Sequence, residues 1–480
     1  MIRMHNPKSM TKGLWALPLV LTLATTGCGN ATTSNTANSD GTGTEASQQN
    51  RESITNNADG EHAIEVSGKT ESYSAVDVTK TGEADGDEAD FYGVNSAIYA
   101  EEGATLNLDD ITVNTNGTHA NAVFSYGEGT TVNISNSTID TTNNCSGGIM
   151  VTGGGTLNAT DLTVHTTGRS SAAIRSDRGG GTENVKGGSY TTDGTGSPAI
   201  YSTADVTVSD ATLTSTASQG VVVEGKNSVT LNNVELTASN TTKNSDKSDW
   251  YQAVMIYQSM SGDAAQGEAT FTMNDGTLTN KNGDVFFVNN TVATISLSGA
   301  SITNEDANGV LLRAAAAGWG SEGSNGGHVT LKAAKEQLSG DIVVDSVSEL
   351  NMYLSDKSTY TGAINAANEG AVYIEIESGS KWVLTDDSYV SGLSCDADAI
   401  DLNGHTLYVD GTAYTAGSAS EGTAIEFTLP EGSGAPDGKP GEGGPGGNGG
   451  EPPAKPDGEN GEPPAKPDGN GGEPPAKPGE

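Results

Sequence analysis

The sequence predicts an all-β protein whose central part is a right-handed parallel β-helix, a solenoid of about 10 or 11 coils. The first observation behind this prediction is a repeated triplet of a small residue, a β-branched apolar residue and usually a bulky residue. Its central residue recurs at intervals of about 22 to 26 residues, which is typical of stacked repeat units. The six copies are Ala97-Ile98-Tyr99, Ala122-Val123-Phe124, Gly148-Ile149-Met150, Ala173-Ile174-Arg175, Ala199-Ile200-Tyr201 and Val221-Val222-Val223.

The second observation is alternation within each repeat. Two further segments alternate apolar and polar residues, as in Leu106-Asn107-Leu108 and Ile111-Thr112-Val113. This alternation is typical of strands with one buried face, because successive side chains point to opposite sides. Three short strands in about 25 residues, with no helical stretch between repeats, fit neither a four-stranded propeller blade nor a leucine-rich repeat. A parallel β-helix fits, with apolar columns inside and Asn, Thr and Ser outside.

The pattern continues in looser register, so one solenoid is predicted over residues 62–429. The polar segment 240–250 is predicted to be a loop that leaves the coil. Glu183 stands where other coils place Leu or Val. Either its strand begins later or a carboxylate faces the core. The later start is favoured, because an unpaired buried charge is costly.

The N-terminus is predicted to be a targeting segment followed by a tether. Residues 1–28 contain a basic start, an apolar run at 14–24 and Cys28. The apolar run is too short to cross a bilayer of about 30 Å as a stable helix. The segment resembles a bacterial lipoprotein signal, which implies a lipid on Cys28 and a place on the extracellular face of the cell membrane. Secretion with cleavage near Ala24 is the alternative. Residues 29–61 are nearly free of apolar residues and are predicted to be a disordered linker.

The C-terminal residues 430–480 are rich in Gly and Pro. The hexapeptide Glu-Pro-Pro-Ala-Lys-Pro begins at Glu451, Glu462 and Glu473. Such a repeat is typical of a disordered or partly polyproline II tail. A spacer in solvent is the favoured interpretation, and a short-motif ligand for a wall polymer or a partner protein is the alternative.

Composition excludes several partners. The net charge of −39 would repel nucleic acid and anionic membrane surfaces, so neither is a predicted partner, and membrane contact is expected only through the lipid anchor. Cys145 and Cys395 would lie many coils apart in a solenoid and are predicted to be free thiols.

The candidate ligand-binding surface is a column of outward-facing residues. If Ile98, Val123 and their equivalents up to Val222 face inward, the next residue of each triplet faces out. Exposed rings at the spacing of the coils would suit stacking on sugar faces. The alternatives are that a loop or the segment 62–92 covers the column, or that the strands are one residue out of phase. The predicted column contains Tyr99, Phe124, Met150, Arg175, Tyr201 and Val223, continued by Tyr257, with Trp250 and Trp319 as secondary contacts from insertions.

No metal, cofactor or catalytic residue is predicted. Asp85, Asp87 and Asp90 have the close spacing of calcium ligands but lack the 12-residue loop pattern, so a solvated acidic loop is favoured over a Ca²⁺ site. A glycosidase needs two carboxylates about 5 to 9.5 Å apart. The obvious pairs are Asp386 with Asp387 and Glu375 with Glu377, and neither lies in a hydrolase or lyase motif.

The chain resembles the pectin-lyase-like right-handed β-helix proteins of bacterial surfaces, and among them the adhesin-like or carbohydrate-binding lipoproteins of gut Firmicutes. The resemblance covers residues 62–429 and implies a fold and a cell-surface setting but no catalytic residues. The expected function is therefore a non-catalytic adhesion or binding lipoprotein for polysaccharides or host glycans. A polysaccharide lyase or glycoside hydrolase and a structural surface-coat protein are the alternatives. The segments that carry the resemblance are 91–97, 172–181, 196–202, 254–262 and 326–330.

Overall fold

The computed structural model describes residues 51–243 and 246–430. These residues form 39 strands and a single short helix, α1 (Asp87–Tyr92). The first strands in chain order are β1 (Glu52–Asn56), β2 (Ile64–Ser67), β3 (Thr70–Lys80), β4 (Ile98–Glu101), β5 (Thr105–Thr115), β6 (Val123–Tyr126), β7 (Thr131–Ser135), β8 (Thr138–Thr141), β9 (Ile149–Thr152), β10 (Gly155–Thr160), β11 (Thr163–Thr166), β12 (Ile174–Ser176) and β13 (Gly181–Lys186). The next are β14 (Ser189–Thr192), β15 (Ile200–Ser202), β16 (Asp205–Ser209), β17 (Thr212–Ser215), β18 (Val221–Glu224), β19 (Ser228–Asn232), β20 (Glu235–Ala238), β21 (Gln252–Tyr257), β22 (Glu268–Asn274), β23 (Thr277–Asn280), β24 (Asp284–Asn289), β25 (Thr291–Ser298) and β26 (Ser301–Asn304). The last are β27 (Leu312–Ala314), β28 (Gly327–Ala334), β29 (Gln337–Ser339), β30 (Ile342–Val344), β31 (Glu349–Ser355), β32 (Thr359–Thr361), β33 (Ala371–Ile376), β34 (Lys381–Val383), β35 (Ser388–Val390), β36 (Gly392–Cys395), β37 (Ile400–Asp401), β38 (Leu407–Val409) and β39 (Thr412–Ala413).

The strands stack as a parallel β-solenoid, as the sequence predicts. The coils up to β30 each send one strand to an eleven-stranded sheet, which consists of β2, β4, β6, β9, β12, β15, β18, β21, β24, β27 and β30. A 21-stranded sheet supplies the other faces of most coils, and β5 joins its two columns by pairing with both β7 and β8. Neighbouring strands lie parallel throughout these two sheets, because each partner belongs to the next coil. Smaller sheets of four and three strands complete the C-terminal end.

The interior is one continuous apolar column. The predicted inward residues pair rung by rung, for example Ile98 with Val123 and Ile174 with Ile200. These side chains are fully buried, and each contributes about 1.5–3 kcal/mol by leaving water. No separate globular core is needed, because each coil covers the apolar face of its neighbour.

The register differs from the prediction in one coil. Val221, not Val222, pairs with Ile200, so Val221 and Val223 face the core and Val222 faces outward. The assignment of Val223 to the outward column is therefore wrong. Gly220 supplies the small first residue of this triplet, and it corresponds to Ala199 in the preceding coil.

The solenoid also begins earlier than predicted. Strand β1 starts at Glu52 and pairs with β3, so the linker predicted over 29–61 overlaps the first coil. The rest of that linker before residue 51, the lipoprotein segment with Cys28, and the tail beyond residue 430 lie outside the described residues.

Glu183 faces the core, so the predicted later start of its strand is wrong. It pairs with Leu157 in one neighbouring coil and with Val206 in the other, and it has no exposed surface. Neither carboxylate oxygen has a hydrogen-bond partner. Burial raises the pKa of Glu183 well above its ordinary value, because the apolar interior disfavours the charged form. The hydrogen bonds of the surrounding strands hold this residue in register despite that cost.

Candidate functional site

The outward face of the eleven-stranded sheet carries the column that the sequence singled out. Tyr99, Phe124, Met150, Arg175 and Tyr201 pair in successive coils. The column continues through Val222, Met255, Phe287 and Arg313. Tyr257 lies on the same face but two residues further along, because it pairs with Glu224 rather than with Val222.

A cover closes the N-terminal part of this face. Tyr99, Phe124 and Met150 have no exposed surface, so the prediction that they form an exposed stripe is wrong. The alternative, cover by the segment 62–92, is what the structure has: the His62 ring stacks on Tyr99 at 4.4 Å, and Phe124 lies beneath the end of α1. A Cβ at Gly93 would come within 2.8 Å of the Phe124 ring, so glycine is needed where the helix ends.

The helix α1 replaces the predicted acidic loop. Asp90 is buried against the coil and accepts a hydrogen bond from His119, while Asp85 is exposed to solvent. The side chain of Asp87 lies outside the described residues. Among the described residues, no group of three donor side chains close enough to hold a metal ion includes Asp85.

A second cover lies over the C-terminal part of the face. Trp250 packs against Phe287 with ring centroids 5.5 Å apart, and Trp319 meets Tyr257 edge-on at 5.1 Å. Both tryptophans come from segments that leave the coil, and both are only half-buried. The guanidinium of Arg313 lies 4.8 Å from the Trp250 ring and binds Asp284 at 2.6 Å.

Between the two covers the face is open and forms a trough with two halves. The aromatic half has a volume of about 120 Å³ and is lined by Tyr201, Trp250, Tyr251, Tyr257 and Trp319 together with Gln219 and Gln252. The charged half has a volume of about 290 Å³ and is lined by Asp90, Arg175, Asp177, Tyr201 and Asp263. The two halves adjoin, because both are lined by Gly196, Pro198 and Tyr201.

Arg175 organises the charged half. Its Nη2 lies 3.1 Å from Asp90 Oδ2 and 3.2 Å from Asp177 Oδ2, and its side chain is 10% exposed. Burial raises the pKa of Asp177 to about 7, an effect that the charges of Asp263 and Asp90 reinforce and Arg175 opposes. Burial acts in the same direction on Asp90, but Arg175 and His119 outweigh it and hold the pKa of Asp90 below its ordinary value. Asp177 is therefore the carboxyl that can exchange a proton near neutral pH.

Glu224 lies beneath the junction of the two halves. Its Oε2 accepts hydrogen bonds from the hydroxyls of Tyr201 at 2.5 Å and Tyr257 at 3.0 Å. Burial raises the pKa of Glu224, although Ser259 and the two tyrosines oppose the shift. This network fixes the two tyrosine rings and ties the aromatic half to the charged half.

Five of the nine residues predicted for ligand binding meet at this trough: Arg175, Tyr201, Tyr257, Trp250 and Trp319. The sequence reasoning missed Asp177, Glu224 and Asp263. A signal existed for the first two. Glu224 follows Val222 by two residues on the same strand face, and Asp177 follows Arg175 by two residues, directly after β12. Asp263 had no such signal, because it lies in an irregular segment after β21.

The remaining predicted groups lie elsewhere. Glu375 and Asp386 are exposed and line neither half of the trough. Cys145 and Cys395 are free thiols, as predicted.

No helix between residues 51–243 or 246–430 is both long and apolar enough to cross a membrane. Comparison of the chain with protein-family models, curated proteins and solved structures finds no match.

Proposed function

We propose that this protein is a non-catalytic carbohydrate-binding protein of the bacterial surface, of the adhesin-like kind that its sequence resembles, and that the trough is its binding site. The observation that carries the proposal is the set of half-buried rings of Tyr201, Trp250 and Trp319 beside buried polar groups in one concavity. Sugar faces pack on such rings, while their hydroxyls require hydrogen-bond partners at the edges.

One polar group of the trough has an unused hydrogen-bond acceptor. Gln252 lines the aromatic half, is 1% exposed, and has an Oε1 that accepts no hydrogen bond. Because a buried acceptor without a donor costs about 1–3 kcal/mol, a hydroxyl-bearing ligand that reaches Gln252 would regain part of that energy.

The charges favour neutral sugars over uronates. The two cations that line the trough are Arg175, which two carboxylates already bind, and Lys243, which lies 3.1 Å from Asp249. No described lining residue thus offers an unpaired cation to a uronate carboxylate, and the net charge of −39 repels polyanions at longer range. We infer that the ligand is a neutral polysaccharide or host glycan.

A glycan array probed with the full chain tests the proposal. Trp319→Ala is expected to weaken binding of the best neutral ligand by tenfold or more, about 1.4 kcal/mol, because it removes one wall of the aromatic half. Tyr389→Ala is the matched control, since Tyr389 stacks on Tyr408 at 4.8 Å outside the trough, and it should bind normally. The proposal fails if the chain binds no glycan, or if both variants bind as the unchanged chain does.

Cleavage of a polysaccharide is the second candidate function, and the raised pKa of Asp177 favours it. A carboxyl with a pKa of about 7 can donate a proton as a general acid, and Glu224 supplies a second carboxyl below the same trough. If the protein cleaves its ligand, Asp177→Asn is expected to lower the rate by about 100-fold or more while binding persists.

Release of reducing ends across a panel of neutral and acidic polysaccharides measures this activity. Asp386→Asn is the control, because this exposed carboxylate lies outside the trough. Equal rates for Asp177→Asn and the unchanged chain would remove Asp177 from the chemistry. A panel without any release would leave binding as the function.

A further inference from the structure

Three side chains that could bind a metal meet beside the charged half of the trough. One donor atom each from Asp90, His119 and Cys145 lies within 4.8 Å of the other two. His119 Nδ1 is 3.0 Å from Asp90 Oδ1, and Cys145 lies within hydrogen-bonding reach of the imidazole. Carboxylate oxygen, imidazole nitrogen and thiolate sulfur together form a donor set that suits Zn²⁺.

The backbone holds two of these side chains in place. His119 and Cys145 occupy equivalent turns of adjacent coils, and the His119 N–H donates to Asn144 O at 3.0 Å. Both residues have a left-handed backbone, with φ of 56° and 55°. The third donor, Asp90, comes from α1, so the cluster joins the covering helix to the coil.

The surroundings match the outer shell of a metal site. Asp90 Oδ1 faces His119 and also lies 3.3 Å from Arg175 Nη1, while Oδ2 is 3.1 Å from Arg175 Nη2, and Arg175 in turn contacts Asp177. A carboxylate ligand of a metal is commonly held in this way by a hydrogen bond on its other oxygen. Cys145 is partly exposed, so an ion has a path to the cluster.

The same three residue types could form a nucleophile–histidine–carboxylate triad, and the geometry argues against it. In a triad the nucleophile and the carboxylate bind the two different ring nitrogens and lie on opposite sides of the imidazole. Here the donor atoms of Asp90 and Cys145 are within 4.8 Å of each other, so they converge on one point.

We propose that Asp90, His119 and Cys145 form a three-ligand zinc site with one open coordination position. A bound ion would fasten α1 to the coil next to Arg175, so that it supports the charged end of the trough. Because ligands lose protons when the metal binds, affinity should increase with pH.

Cobalt(II) is the probe, because a thiolate ligand gives it a charge-transfer absorption band that oxygen and nitrogen ligands do not give. The protein for this test is the full chain with Cys28→Ser and Cys395→Ser, in which Cys145 is the remaining thiol. One equivalent of cobalt is expected to produce the band, and one equivalent of zinc to abolish it. His119→Ala should weaken zinc binding by about 100-fold or more.

The control is His405→Ala, which alters the separate group of Asp386, Asp387 and His405 and should leave the thiolate band unchanged. A second measurement uses no substitution at the site: zinc should slow alkylation of Cys145 by iodoacetamide by at least about tenfold. The proposal is overturned if cobalt gives no thiolate band, or if zinc leaves the alkylation rate unchanged. These outcomes do not depend on whether the protein binds a glycan.

Discussion

Glu183→Leu is expected to stabilise the solenoid by several kcal/mol at pH 7. Leucine is similar in size to glutamate and would match Leu157, with which Glu183 pairs. The substitution removes a carboxyl that is fully buried and accepts or donates no hydrogen bond. Burying an unbonded neutral carboxyl costs about 1–3 kcal/mol, and keeping it protonated above its ordinary pKa costs more.

The gain should depend on pH in a defined direction. Burial raises the pKa of Glu183 in the folded state above its ordinary value of 4.5. Below pH 4.5 Glu183 is protonated in both the folded and the unfolded state, so keeping it protonated in the folded state costs no free energy. As pH increases, the unfolded state releases the proton first, so the folded state loses about 1.4 kcal/mol per pH unit until the folded pKa is reached. Glu183→Leu should therefore stabilise more at pH 8 than at pH 4, and Glu183→Gln should also abolish this pH dependence.

Hydrogen exchange of the amides in β13 and its two neighbouring strands measures the effect locally, together with the denaturation midpoint. A local measurement is needed because a solenoid can unfold coil by coil. Glu235→Leu is the control, since Glu235 is exposed on β20 and its loss should change stability by no more than about 0.5 kcal/mol. If amide exchange slows in both Glu183→Leu and Glu235→Leu, or in neither, burial of the Glu183 carboxyl does not cost the free energy proposed here.

Glu183 also shows how much of the strand register could be predicted from the sequence. Alternation placed it inward, in register with Leu157, and an energetic argument about one residue suggested a shift instead. The shift would have displaced every other side chain of the strand to the wrong face, at a higher total cost. The repeat pattern was the better guide, because many paired residues share the register.

What the repeat cannot predict is which non-repeating segment covers it. Tyr99 and Phe124 face out of the coil, as expected, yet the His62 ring covers Tyr99 and the end of α1 covers Phe124. The repeat also could not predict the lining of the trough, because Asp263 and Trp319 lie in irregular segments. Sequence periodicity therefore predicted the outward columns, while the boundary between covered and open surface required the structure.

Arg175→Met is expected to destabilise the protein by about 3–5 kcal/mol, because it leaves Asp90 and Asp177 buried without their shared cation. Methionine preserves much of the aliphatic volume, so the loss reports mainly on charge. The damage should concentrate at α1, whose Asp90 depends on this contact. We expect a lower denaturation midpoint and faster hydrogen exchange in α1.

The variant should recover as the pH falls, since protonation of the two carboxyls removes their uncompensated charge. At pH 7 the difference from the unchanged chain should be largest, and at pH 4 it should be smaller. Arg169→Met is the matched control from the same coil, because Arg169 is exposed. Adding Asp177→Asn to Arg175→Met should restore part of the lost stability, because one of the two unpaired carboxylates is then absent. A pH-independent loss, equal with and without Asp177→Asn, would mean that packing of the Arg175 side chain, and not its charge, holds the trough together.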